Sequence, residues 1–266
     1  MRILIATLVA LAAIPAAAQE RASHCIAIAE MDPALRYVQP ASFRGGLSEF
    51  EVRLIYIDHS MFLIETGGGV TAVTDYAGFI GAVDFVPDIV TMNHAHGSHW
   101  TAAPDPRIET VLRGWTTPEP VERGDLYVRS VPTDIRRGAS VEVEGNSIFV
   151  FEVAGLCIGH LGHLHHEPDD AQYAALGRLD VVMAPVDGGL TLPRPTLKRM
   201  LERLRSSVVI PMHWFGRPNL EAFVAEMSDT YAVERPGGAS LTLSLRDLPD
   251  RPTIVLLEPA FLRAPE

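Results

Sequence analysis

Four short apolar runs in this chain end in histidine, and that arrangement constrains the fold more than any other feature of the sequence. Ile55-Tyr56-Ile57 leads to His59, Asp88-Ile89-Val90-Thr91-Met92-Asn93 to His94, Leu156-Cys157-Ile158-Gly159 to His160, and Val208-Val209-Ile210-Pro211-Met212 to His213. Runs this short and β-rich, set off by turn residues such as Asp58-His59-Ser60, predict strands buried in a sheet. Histidines leaving strand ends enter loops, where α/β scaffolds place their chemistry. Of the 10 histidines, seven fall in two windows: His94, His96 and His99, then His160, His163, His165 and His166. His94 and His96, two apart, share one side of an extended backbone, and Gly97-Ser98 lets the chain fold His99 back toward them. Neutral imidazole is a good ligand for zinc and its neighbours. The pattern therefore points to a metal ion held where four strand ends meet at one edge of a sandwich.

The rest of the chain supports that architecture. Further strand-like runs lie at 62–64, 70–74, 126–131, 141–143 and 147–153, with Glu144-Gly145-Asn146 read as a hairpin turn. The second half alternates differently: helices are predicted over 168–176, 193–204 and 220–227, with strands at 181–185 and 207–211. Strands grouped with outer helices imply two stacked sheets covered by helices, an α/β protein. There is no internal repeat and no low-complexity linker, so the expected mature protein is one domain, residues 19–266.

Met1-Arg2, the apolar stretch from Ile3 to Ile14 and the small residues Pro15-Ala16-Ala17-Ala18 have the layout of a signal peptide over residues 1–18, cleaved before Gln19. The expected location is periplasmic or secreted. Beyond this stretch no segment reaches the roughly 18 to 20 apolar residues a membrane span needs. With 33 acidic against 22 basic residues the net charge is -11, which disfavours nucleic acid as a partner because a basic groove is what attracts a phosphate backbone. The expected partner is a small-molecule substrate; the oligomeric state stays open. Cys25 and Cys157 are the only cysteines. In an exported protein they form a bridge, or Cys157, inside an apolar run, is a free core thiol; the sequence leaves both open.

The ordered motifs resemble the metallo-β-lactamase superfamily, more narrowly its metal-dependent hydrolases that include ascorbate-6-phosphate lactonase-like proteins. Asp58-His59-Ser60-Met61-Phe62-Leu63-Ile64-Glu65 is similar to the family's opening Gly-His-Ser/Ala-x-Phe strand pair. Thr74-Asp75 resembles the buried aspartate that props the metal loop, and His94-Ala95-His96-Gly97-Ser98-His99 the H-x-H-x-D-H motif. Residues 155–162 resemble the strand that ends in His-Leu-Gly-Asp, and Val209-Ile210-Pro211-Met212-His213 the last metal histidine with its strand. The resemblance implies a four-layer αββα sandwich, a divalent metal (zinc first, manganese or iron otherwise), and hydrolysis of a small ester, lactone or phosphoester by metal-activated water. The metal ligands it implies are drawn from His94, His96, His99, His160, His163 and His213. Asp75, His59 and Ser98 stand behind them, and Asp187 or His165 is the expected general base.

Three departures limit what carries over. Ser98 stands where the family has the aspartate of H-x-H-x-D-H, His163 where it has the aspartate of His-Leu-Gly-Asp, and Thr133, with Asp134 beside it, near the place of a middle histidine. A site that loses two carboxylates and gains an imidazole carries less negative charge, which favours one ion over two. Asp187, in Pro185-Val186-Asp187-Gly188-Gly189, is a candidate replacement carboxylate, or else a turn aspartate before the glycines. The alternative to a hydrolase is a non-catalytic metal-binding protein of the same fold.

Overall fold

The computed structural model describes residues 23–27 and 46–264, so the signal-peptide reading of residues 1–18 lies outside the described residues. The organising element is the hairpin of Glu51–Asp58 and Met61–Thr66, in which nearly every residue is buried. Its side chains alternate between two cores. Val52, Leu54, Tyr56, Phe62 and Ile64 point to one, and Ile55, Ile57, Met61 and Leu63 to the other. Period-two alternation with both faces covered explains why the run is apolar throughout.

Around this hairpin a six-stranded sheet runs in the order Ser240–Ser244, Glu51–Asp58, Met61–Thr66, Thr71–Val73, Ile89–Met92 and Thr110–Arg113. An eight-stranded sheet runs Ala232–Glu234, Thr253–Val255, Val208–Met212, Val181–Pro185, Leu156–His160, Ser140–Val153, Leu126–Arg137 and Val121–Arg123. The inner faces of the two sheets meet through Leu54, Tyr56, Phe62, Phe149, Phe151, Ile158, Met183 and Ile210. Behind the second sheet, Val150, Val182, Val209 and Ile254 pack against the helices Asp170–Leu176, Arg194–Leu204 and Arg217–Met227. The first of these helices starts on a capping box of Asp169 and Gln172, which satisfies two otherwise orphaned donors.

The two-sheet sandwich is the expected metallo-β-lactamase type. Its outer layer on the six-stranded sheet has a particular construction: among the described residues it is built from Tyr76, Ile80, Phe85 and Ile108 on connecting segments and from Leu262, whose strand Leu262–Arg263 pairs with Gly81–Ala82. The predicted turn at Glu144-Gly145-Asn146 is a correction. Ser140–Val153 is a single 14-residue strand paired with Leu126–Arg137, and its register slips between Thr133 and Ile135 with Glu144 at φ 55°. The glycine and the left-handed residue serve a bulge rather than a chain reversal, and the bulge carries the strand end toward the histidine loop.

Leu156–His160, Val181–Pro185 and Val208–Met212 are mutually parallel, so their C-terminal ends lie on one edge. The His213 N–H donates to the His59 carbonyl at 2.8 Å and so ties the two sheets together at that edge. At the other end, Cys25 and Cys157 form a disulfide that holds His24–Ala27 against the second sheet. Glu152 reinforces it, accepting from Ser23 Oγ at 2.5 Å, the His24 N–H at 3.2 Å and Arg129 Nε at 2.8 Å. No helix among the described residues is long and apolar enough to cross a membrane.

Candidate metal centre

Three of the strand-end residues adopt left-handed backbone: His59 at φ 47°, Asp75 at φ 43° and His213 at φ 56°. Such conformations cost on the order of 1–3 kcal/mol in non-glycine residues and persist where the surroundings impose them. Here they turn the side chains at the sheet edge inward. The loop after Ile89–Met92 is closed by the His99 N–H donating to the His96 carbonyl at 2.9 Å. Asn93 locks it to both sheets, donating from Nδ2 to Asp75 at 2.9 Å and accepting the Ser147 N–H at 2.7 Å.

The result is a cluster of imidazoles. One ring nitrogen from each of His59, His96, His99 and His213 lies within 4.8 Å of all the others. His163 is a fifth member, its ring centroid 5.2 Å from His96, 5.1 Å from His99 and 5.0 Å from His213. Oxygen partners fix three of the rings from behind. His99 Nδ1 donates to Asp75 at 2.5 Å, His213 Nδ1 donates to Asp187 at 3.0 Å, and His96 Nδ1 lies 2.8 Å from Ser98 Oγ. Each leaves Nε2 for the interior, where His96 Nε2 and His213 Nε2 stand 3.3 Å apart.

Those inward nitrogens test whether a cation fits. His99 Nε2, His59 Nε2 and both nitrogens of His163 are buried with no hydrogen-bond partner among the described residues. Leaving a buried polar atom unsatisfied costs about 1–3 kcal/mol, so several converging on one point call for a shared partner. A divalent ion suits four or five imidazole nitrogens at this spacing, each backed by an oxygen or buried wall. Protonation cannot take its place. Burial, reinforced by the neighbouring imidazoles, pushes His59 down to about 2, His163 to about 3 and His96 to about 4, so all three are neutral and ready to ligate at pH 7. Asp75 is drawn down to about 2: burial alone would raise it, and His99 and His160 outweigh burial. Asp187 is likewise held below the usual carboxylate range, burial being overcome by hydrogen bonds from His213, Thr191 and the Gly189 N–H.

The structure brings together His96, His99, His163 and His213 from the expected ligands, and adds His59, which the sequence placed behind them. It leaves out two. His160 is spent structurally, Nε2 donating to the Ser60 carbonyl at 2.7 Å and Nδ1 accepting the Gly162 N–H at 3.2 Å. His94 turns away, pairing through Nδ1 with Glu142 at 2.6 Å and stacking on Trp115 at 4.9 Å. Both readings as general base also change. Asp187 accepts from the N–H groups of Gly189, Leu190 and Thr191, from Thr191 Oγ1 and from His213, so both its oxygens are engaged in holding this turn and positioning His213. His165 donates to the Asp134 carbonyl at 3.0 Å and faces His166, away from the cavity over the cluster. Thr133 is a core residue accepting from Asn146 Nδ2 at 2.8 Å.

Sequence reasoning missed Ser60, Glu142 and Trp115. Ser60 was within the motif that carried His59, but the partners of Glu142 and Trp115 are far along the chain and leave no local signal. A second group, His24 with Cys25 and Cys157, is equally close-set, yet both its sulfurs are consumed by the disulfide.

Comparison with known proteins bears on the family and the fold. Residues 53–213 match the family model described as the Beta-lactamase superfamily domain. A UPF0173 metal-dependent hydrolase of Methanoculleus marisnigri is 27% identical over 206 residues, 68% of this chain and 91% of that protein. Among solved structures, a protein of Thermotoga maritima described as a Zn-dependent hydrolase of the metallo-beta-lactamase superfamily superposes with TM-score 0.57 at 26% identity, covering 78% of this chain and 98% of its own. A metallo hydrolase of Ignicoccus hospitalis, 19% identical, shares the fold with TM-score 0.55 over 73% of this chain and 99% of its own. With the family match spanning both the first strand and the last cluster histidine, the chain belongs to the β-lactamase superfamily, and the relatives it matches are named metal-dependent hydrolases.

Proposed function

We propose that this protein is an exported hydrolase of a small ester, lactone or phosphoester that works with one divalent ion, zinc before manganese or iron. The observation that carries the reading is the set of buried, unpartnered ring nitrogens of His59, His99 and His163, which gather with the inward Nε2 atoms of His96 and His213 at one point. His59, His96, His99 and His213 hold the ion. Bound there, it would supply Lewis acidity toward a carbonyl or phosphoryl oxygen and a lowered pKa for water. Asp75 and Asp187 keep the protons of His99 and His213 on Nδ1, so that Nε2 stays a donor of electron pairs. His163 reaches the cavity above the cluster, where its unpartnered ring offers one donor and one acceptor nitrogen to water or substrate. The disulfide supports export, since such bonds persist in oxidising compartments, as does the signal-like N-terminus.

A second reading, a metal-binding protein without turnover, is favoured by one observation: four imidazoles are enough to close a tetrahedral site. One preparation separates the two. The purified mature protein is analysed for metal per chain and assayed on esterase, lactonase and phosphodiesterase substrates with and without added zinc or manganese. One ion per chain with turnover that His96→Ala removes supports the hydrolase. One ion without turnover supports the second reading, and no ion at all overturns both. N-terminal sequencing of the exported fraction should begin at Gln19; an intact Met1 there would overturn the signal peptide.

A further inference from the structure

A cavity of about 460 Å³ opens over the imidazole cluster, and its lining divides by chemistry. His96 and His163 form the floor at the cluster, Ile135 and Leu190 are apolar walls, and Arg136 is the one charged side chain among the described residues that line the cavity. Arg136 sits near the tip of the hairpin Leu126–Arg137 and Ser140–Val153, which reverses around Gly138 at φ 60°. The tip is fastened to the metal loop on one side, where Glu142 pairs with His94 and the Gly145 carbonyl accepts the His94 N–H at 3.0 Å. On the other side the Asp134 carbonyl accepts from His165, and the Asp134 N–H donates to His166 Nε2 at 3.1 Å. Two anchors on either flank hold this end of the hairpin, and with it the backbone of Arg136, beside the cavity instead of leaving it a free loop.

The electrostatics then select a ligand. No carboxylate pairs with Arg136 among the described residues, although the chain has more acids than bases. The acids nearby are already engaged: Asp75 by His99, Asp187 by His213, Glu142 by His94, and Asp134 by the Glu144 N–H at 3.0 Å. The cluster itself brings imidazoles and no carboxylate, with Ser98 and His163 at the two positions where the family resemblance expects carboxylates. An ion held this way keeps its charge largely uncompensated by its ligands, and the rim adds another positive charge.

Resting on the metal-centre reading above, we propose that Arg136 forms a carboxylate-binding subsite, so that the substrate is a small aliphatic acid whose ester or lactone group lies at the cluster. The guanidinium takes the carboxylate in a forked pair, and Ile135 and Leu190 cover the intervening carbons.

The test uses valerate and glutarate, five-carbon acids that differ only in the second carboxylate, bound to the full mature protein in its metal-loaded form and followed by calorimetry at low salt. Glutarate is expected to bind about two- to fivefold more tightly, the modest gain typical of a solvated ion pair. Arg136→Ala should bring glutarate to the level of valerate while leaving valerate affinity, metal content and melting temperature unchanged. Arg136→Lys should keep part of the preference. Equal affinity of the two acids in the unmodified protein, or a glutarate preference that survives Arg136→Ala, overturns the subsite. Metal analysis of the same samples separates this from the reading it rests on: a protein without metal that still prefers glutarate through Arg136 upholds the subsite and overturns the metal centre, and one that binds neither acid overturns the subsite as well.

Discussion

Ser98 and His163 change the charge of this site more than its shape. A second hard divalent ion draws on carboxylate oxygens, and here Ser98 only braces His96 while His163 contributes another neutral ring. Zinc titration of the metal-free protein is therefore expected to show one strong step, abolished by His96→Ala. Ser98→Asp combined with His163→Asp should strengthen a second, weaker step, since each added carboxylate attracts the cation. Two equally tight steps in the unmodified protein would contradict this. Asp187→Asn tests the carboxylate behind His213: it removes the charge that orients the ring, and should weaken metal affinity by about 10- to 100-fold without abolishing it. At this scale the sequence was informative about residue type but not about direction. His94 and His96 are chemically alike and two apart, yet one ring is claimed by Glu142 and Trp115 and the other by the cluster.

Elements set those directions. The hairpin tip depends on the Glu142 contact with His94, a pair roughly 30% exposed on each side and so worth about 0–1 kcal/mol of stability. Glu142→Ala should leave metal content unchanged and raise amide hydrogen exchange over 134–145; unchanged exchange would show that the bulge alone holds the tip. The N-terminal segment makes a larger contribution. Its disulfide closes a sequence separation of 132 residues, and Cys25→Ala should lower stability by about 2–5 kcal/mol in denaturant unfolding. Beside it, burial would raise the Glu152 carboxyl, but hydrogen bonds from His24, Ser23 and Arg129 hold it down at about 2. Its folded pKa lies below that of the unfolded chain, so its contribution is full above about pH 4.5 and is lost as the pH falls toward 2. Melting curves over that window should fall more steeply for the unmodified protein than for Glu152→Gln; parallel curves would remove Glu152 from the acid response. The predicted turn at 144–146 failed at this scale because glycine beside a left-handed residue marks a bulge as readily as a reversal. Only the partner strand distinguishes them.

In the whole molecule, two sheets bring the strand ends to a common edge, and the sequence determined that much by itself. Buried strands must be apolar on both faces, so the runs at 54–57, 89–92, 156–160, 181–185 and 208–212 were legible as strands, and the helices behind them as amphipathic cover. Histidines at four strand ends made a metal site readable before any contact was known. Which rings compose it was decided only by tertiary structure. His160 is withdrawn by a carbonyl 100 residues away and His94 by a carboxylate 48 residues away, while His59 joins because the His213 N–H binds its carbonyl across the sheets. The physical reason is that an imidazole has two nitrogens and one plane. Burial requires both nitrogens to be satisfied, and the group that satisfies the first determines where the second points, so a ring becomes a ligand or a brace according to neighbours that the local sequence does not contain.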